Sequence, residues 1–315
     1  MTKFILRRLL LGALTLWVVT TLIFFGVALL PGDIATEMMG QAASPEVLTA
    51  FRQELGLDQP LWYRYLNWLG AVLQGDFGTS LANGREINAL IGGRLWNTFQ
   101  LAGAAAIIAV PLAMGLGIAS ALTQGSLLDR AVNFIALSLV SFPEFFIAYV
   151  LILIFSVELG WFPSLSQMPS DITLLELIKI ILLPALTLTL AVQAHIMRMS
   201  RAALLGVLNS AYIEMAVLKG VRPRRIVLHH ALPNALAPII NVVVLNMAWL
   251  IVGVVVVEVV FIYPGMGQLM VDSVQKRDLP VVQACSLAFA ASYVVLNMTA
   301  DILSTLANPR LQHQG

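Results

Sequence analysis

The chain has 315 residues, 59% of them hydrophobic and only 11% charged, with a net charge of +1. An ordinary soluble domain carries roughly 25% charged residues, and one of this size would expose apolar patches far beyond the few hundred Å² that monomers tolerate. Lys+Arg and Asp+Glu total 18 and 17, which gives no ground for nucleic acid as a partner, and the single Cys285 excludes an intrachain disulfide or a cysteine-based metal cluster.

Lys3, Arg7 and Arg8 precede an apolar run over residues 9–30. That run exceeds the 7–15 residues of a signal-peptide core and ends in Pro31-Gly32-Asp33 without a small-x-small cleavage site, so a retained first helix is expected. A hydrocarbon core about 30 Å thick needs about 20 apolar residues in a helix. Six segments qualify: residues 9–30, 98–122, 131–159, 174–197, 235–260 and 281–306. Asn246, Asn297, Asp301 and several prolines interrupt them, which suits helices packed around a cavity. The expected fold is therefore an all-α integral membrane protein with about six transmembrane helices. With the amino terminus inside, 11 basic residues fall on the cytoplasmic side and 7 on the other, which places both termini in the cytoplasm.

This reading divides the chain into four parts: an amino-terminal segment with the first span (1–30), an external loop (31–97), a core of five spans (98–310) and a short tail (311–315). In the loop, Ser44-Pro45-Glu46 has the order of a helix start and Gly56 supplies a stop. Trp62, Tyr63, Tyr65 and Trp68 then crowd a second amphipathic stretch. Two readings stand side by side: rings at the headgroup level of a membrane, or rings packing the loop's own small core.

Residues 198–234 form an inner loop unlike the rest. Ser210 is placed to cap a helix through Lys219, and Gly220 to end it in a left-handed turn. Arg222-Pro223-Arg224-Arg225 restarts the chain toward Leu232-Pro233, giving two short helices joined at a glycine elbow. Tyr212, Met215, Ala216 and Lys219 share one side of the first helix; Ala216 is small enough to let that side approach a partner closely, and Glu214 sits in the first turn, where the helix dipole favours it. The other reading is a basic amphipathic segment lying on anionic lipid.

The run Glu214-Met215-Ala216, then Gly220, then Leu232-Pro233, resembles the "EAA loop" of permease subunits of binding-protein-dependent ABC importers. The family pattern is Glu-Ala-Ala, three residues, Gly, nine residues, Ile, one residue, Leu-Pro. The spacing matches; Met215 replaces the second position and His230 stands where Ile is usual. Leu30-Pro31-Gly32-Asp33, Leu55-Gly56-Leu57-Asp58-Gln59-Pro60, Gly75-Asp76-Phe77-Gly78-Thr79-Ser80, Leu159-Gly160-Trp161-Phe162-Pro163, Tyr263-Pro264-Gly265-Met266-Gly267 and Asn308-Pro309-Arg310 resemble the dipeptide/oligopeptide/nickel branch. The resemblance implies a type I importer-like permease in the bacterial inner (cytoplasmic) membrane. Tyr212, Glu214, Met215, Ala216, Lys219, Gly220 and Pro233 would then belong to a coupling loop seated in a cleft of an ATPase. Implied partners are a homologous second permease, two ATP-binding cassette ATPases that hold the ATP and magnesium, and an extracytoplasmic solute-binding protein; this chain would carry no cofactor.

No G-x-x-x-x-G-K-[ST], H-E-x-x-H or G-x-S-x-G is present, so the sequence offers no phosphate-cradling loop and no hydrolase signature. Glu144, after Pro143 in the third span, either lines the pathway and meets a substrate amine or cation, or is a protonated carboxyl bonded to a neighbouring helix. Asp301 stands between interhelical and substrate contact. His195, His229 and His230 lack metal-ligand spacing. Glu258, Pro264, Gly265 and Gly267 are expected to shape the external mouth where a delivery protein docks, a plain tight turn being the alternative. The competing function, an ATP-independent secondary transporter or channel, would show inverted repeats with paired broken helices, and the sequence displays no such symmetry. Dipeptides, oligopeptides, glutathione, opines and nickel chelates all remain open as substrates.

Overall fold

The computed structural model describes residues 2–29, 44–54, 56–169 and 172–307. The landmarks at residues 30–33 and 308–310, and the tail, lie outside the described residues. Helix α1 (Thr2–Ala28) is followed by two short helices, α2 (Pro45–Glu54) and α3 (Leu61–Leu73), and then by the long α4 (Ile87–Leu122). Helices α5 (Leu127–Val140) and α6 (Glu144–Leu151) follow, α6 widening into a π-helical stretch over Ile152–Glu158. The chain continues through α7 (Leu174–Leu208), α8 (Ala211–Leu218), the single turn α9 (Pro223–Arg225) and a second π-helical stretch, Ile226–Ala231. Helices α10 (Leu232–Phe261), α11 (Met266–Gln275) and α12 (Leu279–Ala307) complete it.

Among the described residues, four helices are long and apolar enough to cross a bilayer unaided, and three bent pairs bring the possible spans to seven. The six expected segments fall on α1, α4, α5 with α6, α7, α10 and α12. The third is not one straight helix: it turns by 106° between α5 and α6, at Pro143, which is itself extended and has no N–H to donate to the preceding turn. The second begins at Ile87, well before the expected residue 98; the polar residues of this extension are used, Asn88 on the preceding loop at Gly75 and Phe77, and Arg94 and Asn97 on the later one at Pro264 and Gly265.

The centre of the bundle is the α4–α7 pair. Ala102, Ala105, Ala109, Ala113 and Gly117 line the buried side of α4 at three- and four-residue spacing. Small residues there let the backbones approach, as packing between helices in lipid requires. A Cβ added at Gly117 would lie 2.7 Å from the Met197 carbonyl oxygen on α7. Leu183, Leu188, Val192, Leu250, Val254 and Val257 extend this core across α7 and α10. A second apolar cluster forms at the opposite end of the bundle from α11, where Ala121, Leu204, Ile213, Ile226, Ala231, Ala235 and Ile239 meet.

The short helices start and stop as their sequences dictate. The Ser44 hydroxyl oxygen accepts from Val47 N (3.4 Å), and Gly56 has φ +61°. The two readings of the loop aromatics divide between residues. Tyr65 and Trp68 pack on Phe24 of α1 with ring centroids 5.4 Å apart, and the Tyr65 and Thr21 hydroxyls share a hydrogen bond (2.8 Å). Trp62 and Tyr63 stay exposed, available to an interface.

Candidate functional site

The elbow between α7 and α10 is built as the sequence dictates in all but two details. Gly220 takes φ +74°, a region in which an L side chain is strained. Its N–H donates to Val217 O (2.9 Å) and that of Val221 to Ala216 O (3.1 Å), closing α8. Ser210 occupies the N-cap position, but its hydroxyl donates to Val207 O instead of capping. Only Ile213 of α8 is buried, in the cluster formed by the ends of α4, α7 and α10. The Tyr212 hydroxyl donates to His230 O (3.1 Å), strapping α8 onto the π-helical stretch. Tyr212, Glu214, Met215, Lys219 and Pro233 are exposed. Ala216 is the second detail: it is half-buried and packs toward the Ile213 cluster, while Tyr212, Met215 and Lys219 are exposed.

Near mid-length of the spans, the α5–α6 elbow, α7, α10 and α12 line an open cavity of about 790 Å³. Its wall carries Glu144 from the first turn of α6, His195 from α7, Asn246 and Trp249 from α10, and Tyr293 from α12, among apolar neighbours. Sequence reasoning singled out Glu144 and His195 separately; the bend at Pro143 brings them to one chamber. No group of three metal-capable side chains occurs among the described residues. Asp301 lies in the last turns of α12, and its side chain is outside what the structure describes.

Glu258, expected at the external mouth, has a fully buried side chain. Its carboxylate accepts from the Thr98 hydroxyl (2.6 Å), Gly267 N (2.6 Å) and Gln268 N (3.2 Å). It thereby anchors the 77° turn from α10 into α11. A Cβ at Gly265 would overlap that carboxyl, and one at Gly267 would lie 2.6 Å from Val255 Cα. Asn97 Nδ2 donates to Pro264 O (2.8 Å) and the Tyr263 hydroxyl to Asn97 O (2.9 Å), pinning the turn to α4. Glu258, Gly265 and Gly267 are thus interior groups; a carboxylate three residues from the end of an apolar run reads as exposed until its side-chain partner Thr98, 160 residues away, is known.

Two further polar joints escaped sequence reasoning. Arg201 of α7 grips Asp129 of α5, Nε to Oδ1 and Nη2 to Oδ2, each at 2.9 Å. Ser120, Gly125 N and Asn133 donate to the same carboxylate. Asp278, before α12, accepts from the Ser80 hydroxyl, Leu81 N and Ala82 N. The available signal was negative: an acidic residue beside an apolar run needs a partner, but a single sequence does not say which.

Comparison with known proteins adds to this geometry. Residues 113–313 match the family described as "Binding-protein-dependent transport system inner membrane component", and residues 1–102 match its amino-terminal companion, "Binding-prot-dependent transport system membrane comp, N-term". The chain is 37% identical over 314 residues, all of both chains, to the glutathione transport system permease protein GsiC of Escherichia coli (strain K12). It is 38% identical, again over the full length of both, to GsiC of Salmonella typhi. Among solved structures it is similar in fold to the MetNI methionine ABC transporter in its inward facing, CY5 native crystal form, with TM-score 0.54 and 19% identity, covering 70% of this chain and 96% of that one.

Proposed function

The chain belongs to the binding-protein-dependent transport system inner membrane components, the bacterial inner-membrane permease subunits of ABC importers for peptides or related solutes, and from this premise we propose that α8 is the lever through which ATP hydrolysis reaches the transport pathway. The carrying observation is the elbow itself: an eight-residue helix with one buried side chain, closed by a left-handed glycine and inserted between two spans. Ile213 and the Tyr212–His230 bond lock α8 to the ends of α7 and α10. A push on its exposed face therefore moves both spans. The Arg201–Asp129 joint passes that motion to α5, and so to the bend beside the cavity. A nucleotide can shift such an equilibrium only by its differential affinity for the two states.

In this reading the α8 end faces the cytoplasm, as the distribution of basic residues favours. Two ATPases that bind ATP and magnesium, a homologous permease and an extracytoplasmic binding protein complete the importer, and this chain itself catalyses nothing. The identity to GsiC supports glutathione or small peptides as cargo. The test is substrate-stimulated ATP hydrolysis by the reconstituted complex with Glu214→Ala or Gly220→Val. Loss of stimulation is expected for at least one of them; full stimulation in both removes the lever, and solute flux through the purified chain with no ATPase present removes the importer reading.

A further inference from the structure

We infer that the cavity beside the α5–α6 bend holds a subsite for a primary ammonium group, with Glu144 as its counter-ion. This rests on the permease reading above and narrows it to solutes carrying a free amine. Glu144 is the sole acidic side chain on the cavity wall, and no Lys or Arg shares that wall. Its carboxylate makes no hydrogen bond or ion pair with any described residue. Ionisable groups in this position within a membrane bundle are costly, and they persist where they meet an ion, a substrate or a partner. No described residue supplies a partner. On this proposal the matching positive charge comes with the solute that enters the groove.

The rest of the wall fits that ligand. Trp249 and Tyr293 place aromatic rings on the wall, and the face of such a ring attracts an ammonium through its quadrupole. His195 and Asn246 add side chains able to donate hydrogen bonds to a carboxylate or amide elsewhere on the solute. The volume, about 790 Å³, lies in the range of about 300–1,000 Å³ typical of small-molecule sites. A mostly apolar wall with a few convergent polar groups is the usual form of such a site. Placement matters as well. Glu144 follows directly on the bend at Pro143, so a movement of α5 relayed from α8 changes its distance to α7 and α10. The solute would then be held in one state of the cycle and released in the other.

The experiment uses the complete importer in proteoliposomes and three probes, glutathione, Ala-Ala and Ala-Ala-Ala, each with its free amine and N-acetylated. The readout is the ratio of free to blocked uptake at subsaturating solute, which cancels any general loss of assembly. Glu144→Gln is expected to lower this ratio at least tenfold, Glu144→Asp to restore most of it, and Trp249→Leu to lower it by a smaller factor. A ratio unchanged in Glu144→Gln, with both forms slowed alike, overturns the subsite and leaves the permease reading intact. Failure of the unmutated complex to take up any of the three peptides, free or blocked, overturns both the peptide reading and the subsite.

Discussion

Arg201 and Asp129, 72 residues apart in sequence, form a two-point ion pair between α7 and α5, both contacts at 2.9 Å, next to the end of α7 that leads into α8. The planar guanidinium matches both carboxylate oxygens at once, a geometry that lysine does not offer. Arg201→Lys is therefore expected to weaken the joint although charge is kept. Arg201→Met or Asp129→Asn alone should lower the melting temperature in detergent by several degrees, and the double variant should lie above the worse single one. Strict additivity of the two losses would show that the pair does not act as a unit.

Glu258 predicts a second set of effects. Glu258→Ala leaves the Thr98 hydroxyl and two backbone N–H groups without their acceptor, at about 1–3 kcal/mol for each buried group left unsatisfied. The expected result is chain that inserts but is cleaved early in limited proteolysis. Gly265→Ala should behave similarly, because its new methyl group occupies the place of the Glu258 carboxyl.

At the α4–α7 crossing, Gly117→Val drives a side chain into the Met197 carbonyl. Overpacking of this kind costs about 1–3 kcal/mol. Thermal melting of the purified chain checks it, with Gly115→Val as control, since a Cβ at Gly115 meets nothing within 4 Å.

Gly220→Ala places a Cβ at φ +74°, a penalty of about 1–2 kcal/mol from the left-handed backbone alone. Open space surrounds the position, so the loss is confined to the elbow. Melting of the whole chain should change little while stimulation of ATP hydrolysis falls.

Ile262 closes α10 with φ +50°, a conformation that a β-branched residue tolerates poorly. Its side chain is exposed, so Ile262→Gly sacrifices little packing. The variant is expected to be more stable by roughly 1 kcal/mol, seen as a higher melting temperature; a lower one would mean that the isoleucine contributes contacts outweighing its backbone strain.

The all-helical fold and the elbow were legible from local chemistry. Ser44, Gly56 and Gly220 do in the structure what caps and left-handed turns require of them. The break at Pro143 was only half legible: its proline was plain, but an apolar run on both sides reads as one span, and only the packing of α6 against α7 and α10 decides the angle. The packing of Ala216 and Glu258 was not legible, for a common reason. A small residue on a helix, or a carboxylate near a loop, suits either a partner surface or an interior contact, and the choice depends on segments distant in sequence. The shared chamber of Glu144 and His195 depends on the same bend and was not legible from spacing.

The two ends of this bundle are fastened by different means. Glu258 and Asp278 tie α4, α10, α11 and the start of α12 together with directional bonds to buried partners. At the other end the bed under α8 is alanine, leucine and isoleucine, whose contacts are indifferent to direction, while beside it the Arg201–Asp129 clasp holds α5 to α7. On the lever proposed for α8, the helix would slip over a greased bed while α5 and α7 travel as one piece, with the Glu258 rim as their fulcrum.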